Sequence, residues 1–251
     1  MIGLLLFSTF LGGVVFNASN ILLAAAVALS VGVGLALVLG VLINYFGAAK
    51  GDPLFIFLGV ALIAAAIVMN GLAYRMARTG KRKLAAKGLL ISVAAGTIMA
   101  FFYRFVAFSM DLDSFTAPAA GKMTPYTAVV VFATGVFVSN FLFNTIAMKC
   151  PVEGTPVRPS EYFGGTFRTH LVGMLGGAIW CLGESFSMIA SGKAGAAISY
   201  GLGQGATLVS ALWGILIWKE FRGAPGASVL CNAGMFVLFL AGLGLLIYAG
   251  A

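Results

Sequence analysis

The sequence predicts an all-α integral membrane protein, and its composition, its apolar runs and the placement of its charges lead to that class. Of the 251 residues, 61% are hydrophobic and only 9% are charged, whereas a soluble domain carries about 25% charged residues. The 34 glycines suit helices that pack closely against one another in lipid. The net charge of +8 does not indicate nucleic-acid binding, because the basic residues lie in the loops between apolar spans.

Eight apolar runs are long enough to cross a hydrocarbon core, which takes roughly 20 residues per helix. The first two are separated only by a weak break near residues 30–34, and the second run is short. The chain divides into a first half of three spans (1–74), a basic connector (75–87) and a second half of five spans (88–251). In chain order, spans one to eight cover residues 4–23, 31–46, 54–74, 88–110, 125–148, 169–190, 195–218 and 228–249.

The basic residues in the loops predict the orientation of the spans. Three lysines lie in loops on the side of the N-terminus, and eleven lysines and arginines lie in loops on the other side. The positive-inside rule puts the larger group in the cytoplasm. We therefore expect a protein of the cell inner membrane with both termini extracytoplasmic and a cytoplasmic connector, in which the basic run is a topology signal or a lipid-headgroup contact.

Two parts of the chain resemble each other. The segment GGVVFNASN at 12–20 aligns with GGAIWCLGE at 176–184, and GLALVLGVLINYF at 34–46 resembles GATLVSALWGILIWKEF at 205–221. Spans one to three thus correspond to spans six to eight, which enter the membrane from the opposite side. Such inverted repeats are typical of secondary transporters, whose binding site lies near the midplane where the repeats meet.

Spans four and five have no counterparts in the first half of the chain. Two equal halves would have five spans each, so the sequence contains eight of an expected ten. Either the chain is truncated at its N-terminus or it is a natural shortened form.

A family resemblance rests on the segment GKAGAAISYGLGQGATLVSALWGILIWKEFRGA at 192–224, and on GGAIWCLGESF and FNASNILLAAAVAL. These segments resemble bacterial relatives of the ureide permeases, within the drug/metabolite transporter superfamily. The resemblance implies a ten-helix fold of two inverted five-helix halves and uptake of small polar solutes with protons. The chain departs from the family in lacking the first two helices. It also reduces the long central cytosolic loop of the plant proteins to residues 75–87, so ureide specificity is not carried over.

Glu184 is a carboxylate inside span six, in the apolar stretch GGAIWCLGESFSMIA. An ionised carboxylate near the bilayer core costs ~2.5–3.5 kcal/mol, so this group must face a cavity, find a partner or stay protonated. We expect Glu184 to couple proton movement or to bind solute. The alternative is a neutral glutamic acid that is hydrogen-bonded between helices. Asn20, its counterpart in the repeat, allows this alternative because the position then requires only a polar group.

Two further groups of residues are candidates for the solute site, one on span six beside Glu184 and one on span seven. Trp180 lies one turn from Glu184, on a face with Gly173 and Gly177, where its ring either stacks on a flat solute or simply packs. Span seven carries a polar stripe that either lines a cavity or holds helices together by hydrogen bonds. The stripe consists of Tyr200, Gln204, Thr207 and Ser210. Its GLGQG segment follows no strand, so it does not indicate nucleotide binding.

Spans four and five contribute three more polar candidates. Asn140 and Asn144 share a face of span five, and their amides suit either recognition of a ureido or nucleobase edge or hydrogen bonding between helices. Arg104 lies in span four, about six residues from the outer end. It either extends to the interface or pairs with Glu184 or with an anionic solute.

These patterns predict a permease that moves a small polar solute by alternating access with protons. The rival prediction is a non-transporting helical scaffold or an inactive truncated transporter. An enzyme is not expected, since there is no nucleophile–base pair, only one histidine and no metal motif. We expect membrane lipids as partners, no nucleic acid and no cofactor, and a homodimer is left open. The candidate site consists of Glu184 for proton coupling and, for the solute, Asn20, Arg104, Asn140, Asn144, Trp180, Tyr200, Gln204 and Thr207.

Overall fold

The computed structural model describes residues 2–24, 29–77, 86–151 and 155–250. Within these segments the chain forms ten α-helices, and the only β-type pairing is an isolated bridge between Met110 and Met123. The helices are α1 (Ile2–Ala24), α2 (Leu29–Gly47), α3 (Pro53–Ala77), α4 (Ala86–Ser109), α5 (Pro125–Lys149), α6 (Pro159–Phe163), α7 (Phe167–Ala194), α8 (Ala196–Gly203), α9 (Gly205–Leu216) and α10 (Gly226–Ala249).

Six of the described helices, α1, α3, α4, α5, α7 and α10, are long and apolar enough to cross a membrane. In α2 the apolar stretch Val31–Gly47 is shorter, and predicted span seven is divided between α8 and α9. The predicted count of eight spans therefore stays a prediction, although the predicted bounds agree with the helices to within four residues. The weak break placed near residues 30–34 is wrong, since that segment lies inside α2, and α6 was not predicted.

Local chemistry explains several helix ends. The side chain of Thr124 accepts a hydrogen bond from the Thr127 amide and Pro125 follows it at the first helical position, so α5 begins there. Thr166 caps α7 in the same way. The turn from α7 to α8 consists of Gly195 alone, at φ +85°, a conformation that favours glycine.

Helices α3 and α10 pack antiparallel along most of their length. A Cβ at Gly59 would lie 2.8 Å from the Gly242 carbonyl oxygen near one end of the pair. Towards the other end, Ser228 Oγ donates a hydrogen bond to the Ala73 carbonyl at 2.8 Å. Residue numbers rise along one helix as they fall along the other, and the missing glycine side chain lets the two backbones approach closely.

Helix α1 is packed between α4 and α5. Ser8 donates a hydrogen bond to the Phe105 carbonyl and Ser19 donates one to Met99 Sδ, which makes α1 and α4 antiparallel. On its other side, Asn17 Nδ2 donates to Ser139 Oγ at 3.0 Å, and both residues are buried. These polar contacts join the helices where apolar side chains alone would give no specific register.

Two neighbouring glycines let α1 approach both of these helices. A Cβ at Gly12 would lie 3.0 Å from the Phe102 carbonyl oxygen of α4. A Cβ at Gly13 would lie 2.9 Å from the Val136 amide nitrogen and 3.1 Å from Gly135 Cα of α5. Both sites are buried, so α1 is held tightly on two sides.

Helix α7 differs sharply from α1 in its surroundings. From Phe167 to Trp180 every residue except the half-buried His170 is exposed. Gly176 and Gly177 align with Gly12 and Gly13, yet a Cβ at either would meet nothing within 4 Å in the described part of the chain. Only the later part of α7 is packed, with Met188 and Ser191 buried. We call the exposed segment 167–180 the open face of α7.

The loops join the helices at two ends of the bundle. At one end, Lys50 Nζ donates a hydrogen bond to the Gly192 carbonyl, and the Asp52 amide donates one to the Ala249 carbonyl. At the other end, the Tyr74 hydroxyl donates to the Glu220 carboxylate. Residues 78–85 of the predicted basic connector lie outside the described residues.

Candidate functional site

A cavity of about 240 Å³ lies between α1, α2, α4 and the helices α7 to α9. It contains most of the residues that the sequence predicted for a solute site, although they come from distant parts of the chain. Six of the nine predicted residues line it: Asn20, Trp180, Glu184, Tyr200, Gln204 and Thr207.

An aromatic stack joins α1 and α7 at this cavity. The rings of Phe16 and Trp180 lie 4.6 Å apart between centroids, with 22° between their planes. Phe102 supports Phe16 from behind, at 5.0 Å and edge-on. Phe16 and Trp180 are the two positions that the sequence alignment of segments 12–20 and 176–184 sets opposite each other. Trp180 also belongs to the cavity lining, so a flat solute in the cavity can contact its ring.

Glu184 lies beside this stack on the wall of the cavity. Its Oε1 is buried and, among the described residues, has no hydrogen-bond partner. The cavity lining contains no lysine or arginine, so no cation of the described chain compensates the carboxyl group there. A buried carboxyl without partners is costly when ionised. Glu184 therefore offers an unoccupied acceptor atom to a donor group of a ligand in the cavity.

Two tyrosines close the cavity on the side towards the Lys50 end. Tyr103 donates a hydrogen bond to the Ser187 carbonyl at 3.0 Å, and Tyr200 donates one to the Ala36 carbonyl at 2.9 Å. Both tyrosines are buried, with ring centroids 5.9 Å apart. The sequence analysis did not predict Tyr103 as a site residue. Its only signal was a hydroxyl group inside span four, and the neighbouring Arg104 was chosen as the candidate of that span.

Gln204 lies where predicted span seven breaks into α8 and α9. The backbone amide of Gln204 donates a hydrogen bond to the Gly201 carbonyl, and the backbone carbonyl of Gln204 accepts one from the Thr207 amide. Both hydrogen bonds span three residues instead of the four of an α-helix. Such a 3₁₀ turn within a helix is frequent at hinges. The side-chain amide of Gln204 makes no hydrogen bond within the described segments, whereas Asn20 Nδ2 donates to the Phe16 carbonyl.

The structure does not bring the other three predicted residues to the cavity. Asn144 Nδ2 donates to Asn140 Oδ1 at 2.8 Å, and this pair lies on the outer side of α5. Arg104 lies in a separate groove between α1 and α4. Ser210, the last residue of the polar stripe, is exposed on α9. The stripe thus lines the cavity only as far as Thr207.

The lining determines which solutes the cavity can hold. Carboxyl, amide and hydroxyl groups offer several hydrogen-bond acceptors next to aromatic surface. The absence of a cation from the lining disfavours anions, and a volume of about 240 Å³ lies below the range of about 300–1,000 Å³ that is typical of drug-sized ligands. The geometry fits a small, flat, neutral or cationic molecule that carries N–H donors.

Comparison with known proteins identifies the family of the chain. The ureide permease family matches residues 75–249, which is more than half of the chain. The chain is also 24% identical over 168 residues to ureide permease 2 of Arabidopsis thaliana, a match that covers 66% of this chain and 42% of that relative. It thus spans less than half of the relative's length. No solved structure matches. With its apolar helices, this is a multi-pass helical membrane protein, and the chain belongs to the ureide permease family.

Proposed function

We propose that this protein is a permease that moves a small polar solute across the cell inner membrane by alternating access, with proton movement coupled through Glu184. The observation that carries the proposal is the buried Oε1 of Glu184, which has no hydrogen-bond partner among the described residues and lies beside the Phe16–Trp180 stack. A group that is ionised only at a cost releases and rebinds a proton as its surroundings change. The proton and the solute then bind at the same carboxyl group, so the binding of one changes the affinity for the other, as coupled transport requires.

The name of the relative suggests ureides as one solute class, and the lining supports that class. A ureide or a nucleobase is flat, uncharged and rich in N–H donors, which match the carboxyl and amide oxygens of Glu184 and Gln204. Trp180 offers a face for stacking. The absence of a lysine or arginine from the lining argues against carboxylate or phosphate solutes.

Transport into proteoliposomes tests this proposal. Purified protein is supplied with radiolabelled allantoin (a ureide) or uracil, with and without an imposed pH gradient. We expect the gradient to drive accumulation. Glu184→Gln keeps the shape and most hydrogen bonding but cannot titrate, so it should abolish this accumulation and leave solute exchange measurable. Glu161→Gln, the same change at an exposed carboxylate outside the cavity, serves as the matched control and should keep the coupling.

Three other outcomes would contradict the proposal in different ways. Uptake that keeps its pH dependence in Glu184→Gln would make Glu184 structural and place the proton site elsewhere. Uptake that is independent of the gradient in the unmodified protein would remove protons as the coupling ion. Failure of the folded protein to take up or exchange either solute would favour the rival, a non-transporting scaffold.

We also propose that α1 to α3 and α7 to α10 are inverted repeats of the drug/metabolite transporter type. The antiparallel packing of α3 and α10 supports this arrangement, because these helices are counterparts in the alignment. The stacking of the aligned Phe16 and Trp180 supports it as well. In this arrangement both termini and the Lys50 end are extracytoplasmic. A membrane-impermeant thiol reagent should then label Ser114→Cys but not Arg222→Cys in intact cells, in a background without the native cysteines; the reverse pattern would invert the orientation.

The same symmetry suggests that two further apolar helices cover the open face of α7, as α4 and α5 cover α1. The support is the contrast between the packed pair Gly12 and Gly13 and the open pair Gly176 and Gly177. If the helices are present in the functional protein, Gly177→Leu should reduce folding and transport. Gly244→Leu, at another open glycine, should not. Equal tolerance of both changes would contradict this covering.

A further inference from the structure

The groove that holds Arg104 has a composition unlike that of the solute cavity. It encloses about 350 Å³ between the first turns of α1 and the last turns of α4. Besides Ser8 and Arg104, all of its lining residues are apolar: Leu4, Phe7, Leu11, Phe105 and Phe108. Leu4 and Phe7 are 66% and 58% exposed, so the groove opens on the outer surface of the bundle, where a membrane protein meets lipid.

Arg104 is the only charged group among these side chains, and it has no acceptor. In the described part of the chain no carbonyl or side chain accepts a hydrogen bond from its guanidinium, and no carboxylate lies within ion-pair distance. Ser8, the other polar residue, already donates to the Phe105 carbonyl. Up to five N–H donors in a fixed fork are therefore available, in an apolar setting where unpaired donors are costly.

The Arg104 side chain lies directly against the backbone of Gly47. Gly47 is the last residue of α2, and a Cβ there would overlap the guanidinium group. The glycine lets the cation rest against the C-terminal end of α2, where the helix dipole favours positive charge. This placement fixes the position of the guanidinium without using its donors.

Arg104 is close enough to the end of α4 for its long side chain to extend to the membrane interface. It lies five residues before the end of α4 at Ser109, or about 7.5 Å at a rise of 1.5 Å per residue. A second cation is close by, since Lys122 Nζ lies 5.0 Å from the centre of the Phe108 ring and donates to the Phe108 carbonyl. Two cations thus flank the aromatic end of an apolar groove.

We propose that this groove is a binding site for an anionic phospholipid. The phosphate accepts hydrogen bonds from Arg104, a planar donor that suits its geometry. The acyl chain lies along the apolar side chains of α1 and α4, and Lys122 favours a headgroup with net negative charge. The site is separate from the solute cavity, so it stands or falls independently of transport.

Lipid binding to the purified full chain tests this site. Native mass spectrometry compares phosphatidylglycerol with phosphatidylcholine, and we expect preferential retention of phosphatidylglycerol. Arg104→Gln should weaken its binding by roughly 10- to 150-fold, which corresponds to the contribution of about 1.5–3 kcal/mol from hydrogen bonds to charged groups. Arg104→Lys should retain part of it, and Arg222→Gln at the other end of the bundle should retain all of it. Monodispersity and thermal unfolding without added lipid verify that each variant is folded.

Three results would overturn the proposal. One is equal binding of phosphatidylglycerol to Arg104→Gln and the unmodified protein. The second is equal binding of both lipids to the unmodified protein, which would reduce Arg104 to an unselective interfacial contact. The third is displacement of the lipid by inorganic phosphate at similar concentration, which would make the site one for free anions.

Discussion

The close packing of α1 on α5 leads to a quantitative prediction for Gly13→Ala. The added Cβ would lie 2.9 Å from the Val136 amide nitrogen and nearer still to the Phe132 carbonyl. Ordinary contact begins at 3.4 Å, so the helices must part by at least 0.5 Å (3.4 minus 2.9). Both obstacles are backbone atoms within helices and cannot swing away. Inserting a methyl group into such a packed site costs about 1–3 kcal/mol.

The control is Gly244→Ala, in the interior of α10, where the new Cβ would meet nothing within 4 Å. Both variants gain the same helix propensity, up to about 1 kcal/mol, so the difference between them isolates the packing cost. Reversible unfolding in mixed detergent micelles, followed by tryptophan fluorescence, gives the two free energies of unfolding. We expect Gly13→Ala to be less stable than Gly244→Ala by about 1–3 kcal/mol. A difference below about 0.5 kcal/mol would refute the reasoning, because surface changes already span that range.

Three further predictions follow from contacts near the two ends of the bundle and the cavity. Gly40→Ala should displace the Tyr200 ring, which the new Cβ would overlap, and weaken solute binding in an equilibrium assay; unchanged binding would show that the ring moves freely. Tyr74→Phe should lower the free energy of unfolding by about 1 kcal/mol or less, because its hydroxyl donates to Glu220, and Tyr126→Phe on exposed surface should not. Backbone amides, chiefly that of Ala119, hold the pKa of Asp111 below its usual value. Protection of the backbone amides in this loop against hydrogen exchange should therefore be complete above the ordinary aspartate pKa and should fall as the pH drops through the lowered pKa of Asp111. Asp111→Asn should remove that pH dependence.

Helix positions could be predicted because the spans are long and apolar and are separated by glycine, proline and charge. The cavity residues could be predicted because the repeat sets Phe16 against Trp180 and Asn20 against Glu184. Polar groups inside apolar spans are rare enough that each one indicates a special environment. Their chemistry was therefore visible in the sequence even though their neighbours were not.

The remaining features depend on helix orientation, which this composition conceals. Spans that are apolar on every side do not reveal which side faces a neighbour, so the sequence did not separate Arg104, Asn140 and Asn144 from the cavity residues. The break at Gln204 did carry a signal, since Gly201, Gly203 and Gly205 surround it and glycine weakens a helix, but the continuous apolar run of span seven outweighed that signal in the sequence prediction. Tyr103 reaches the cavity only through the rotation of α4 about its axis.

The division of α8 from α9 at Gln204 has a mechanical consequence. Six consecutive residues of α8, from Ala196 to Gly201, are buried, so neighbouring helices pack against every side of this short helix and hold it in place. In α9 only Leu208, Ala211 and Gly214 are buried. The helix is therefore packed along one face only. Because a 3₁₀ turn within a helix is frequent at hinges, we expect α9 to move about Gln204 more readily than α8. The wall of the cavity that carries Thr207 would then move relative to the side that carries the tyrosines.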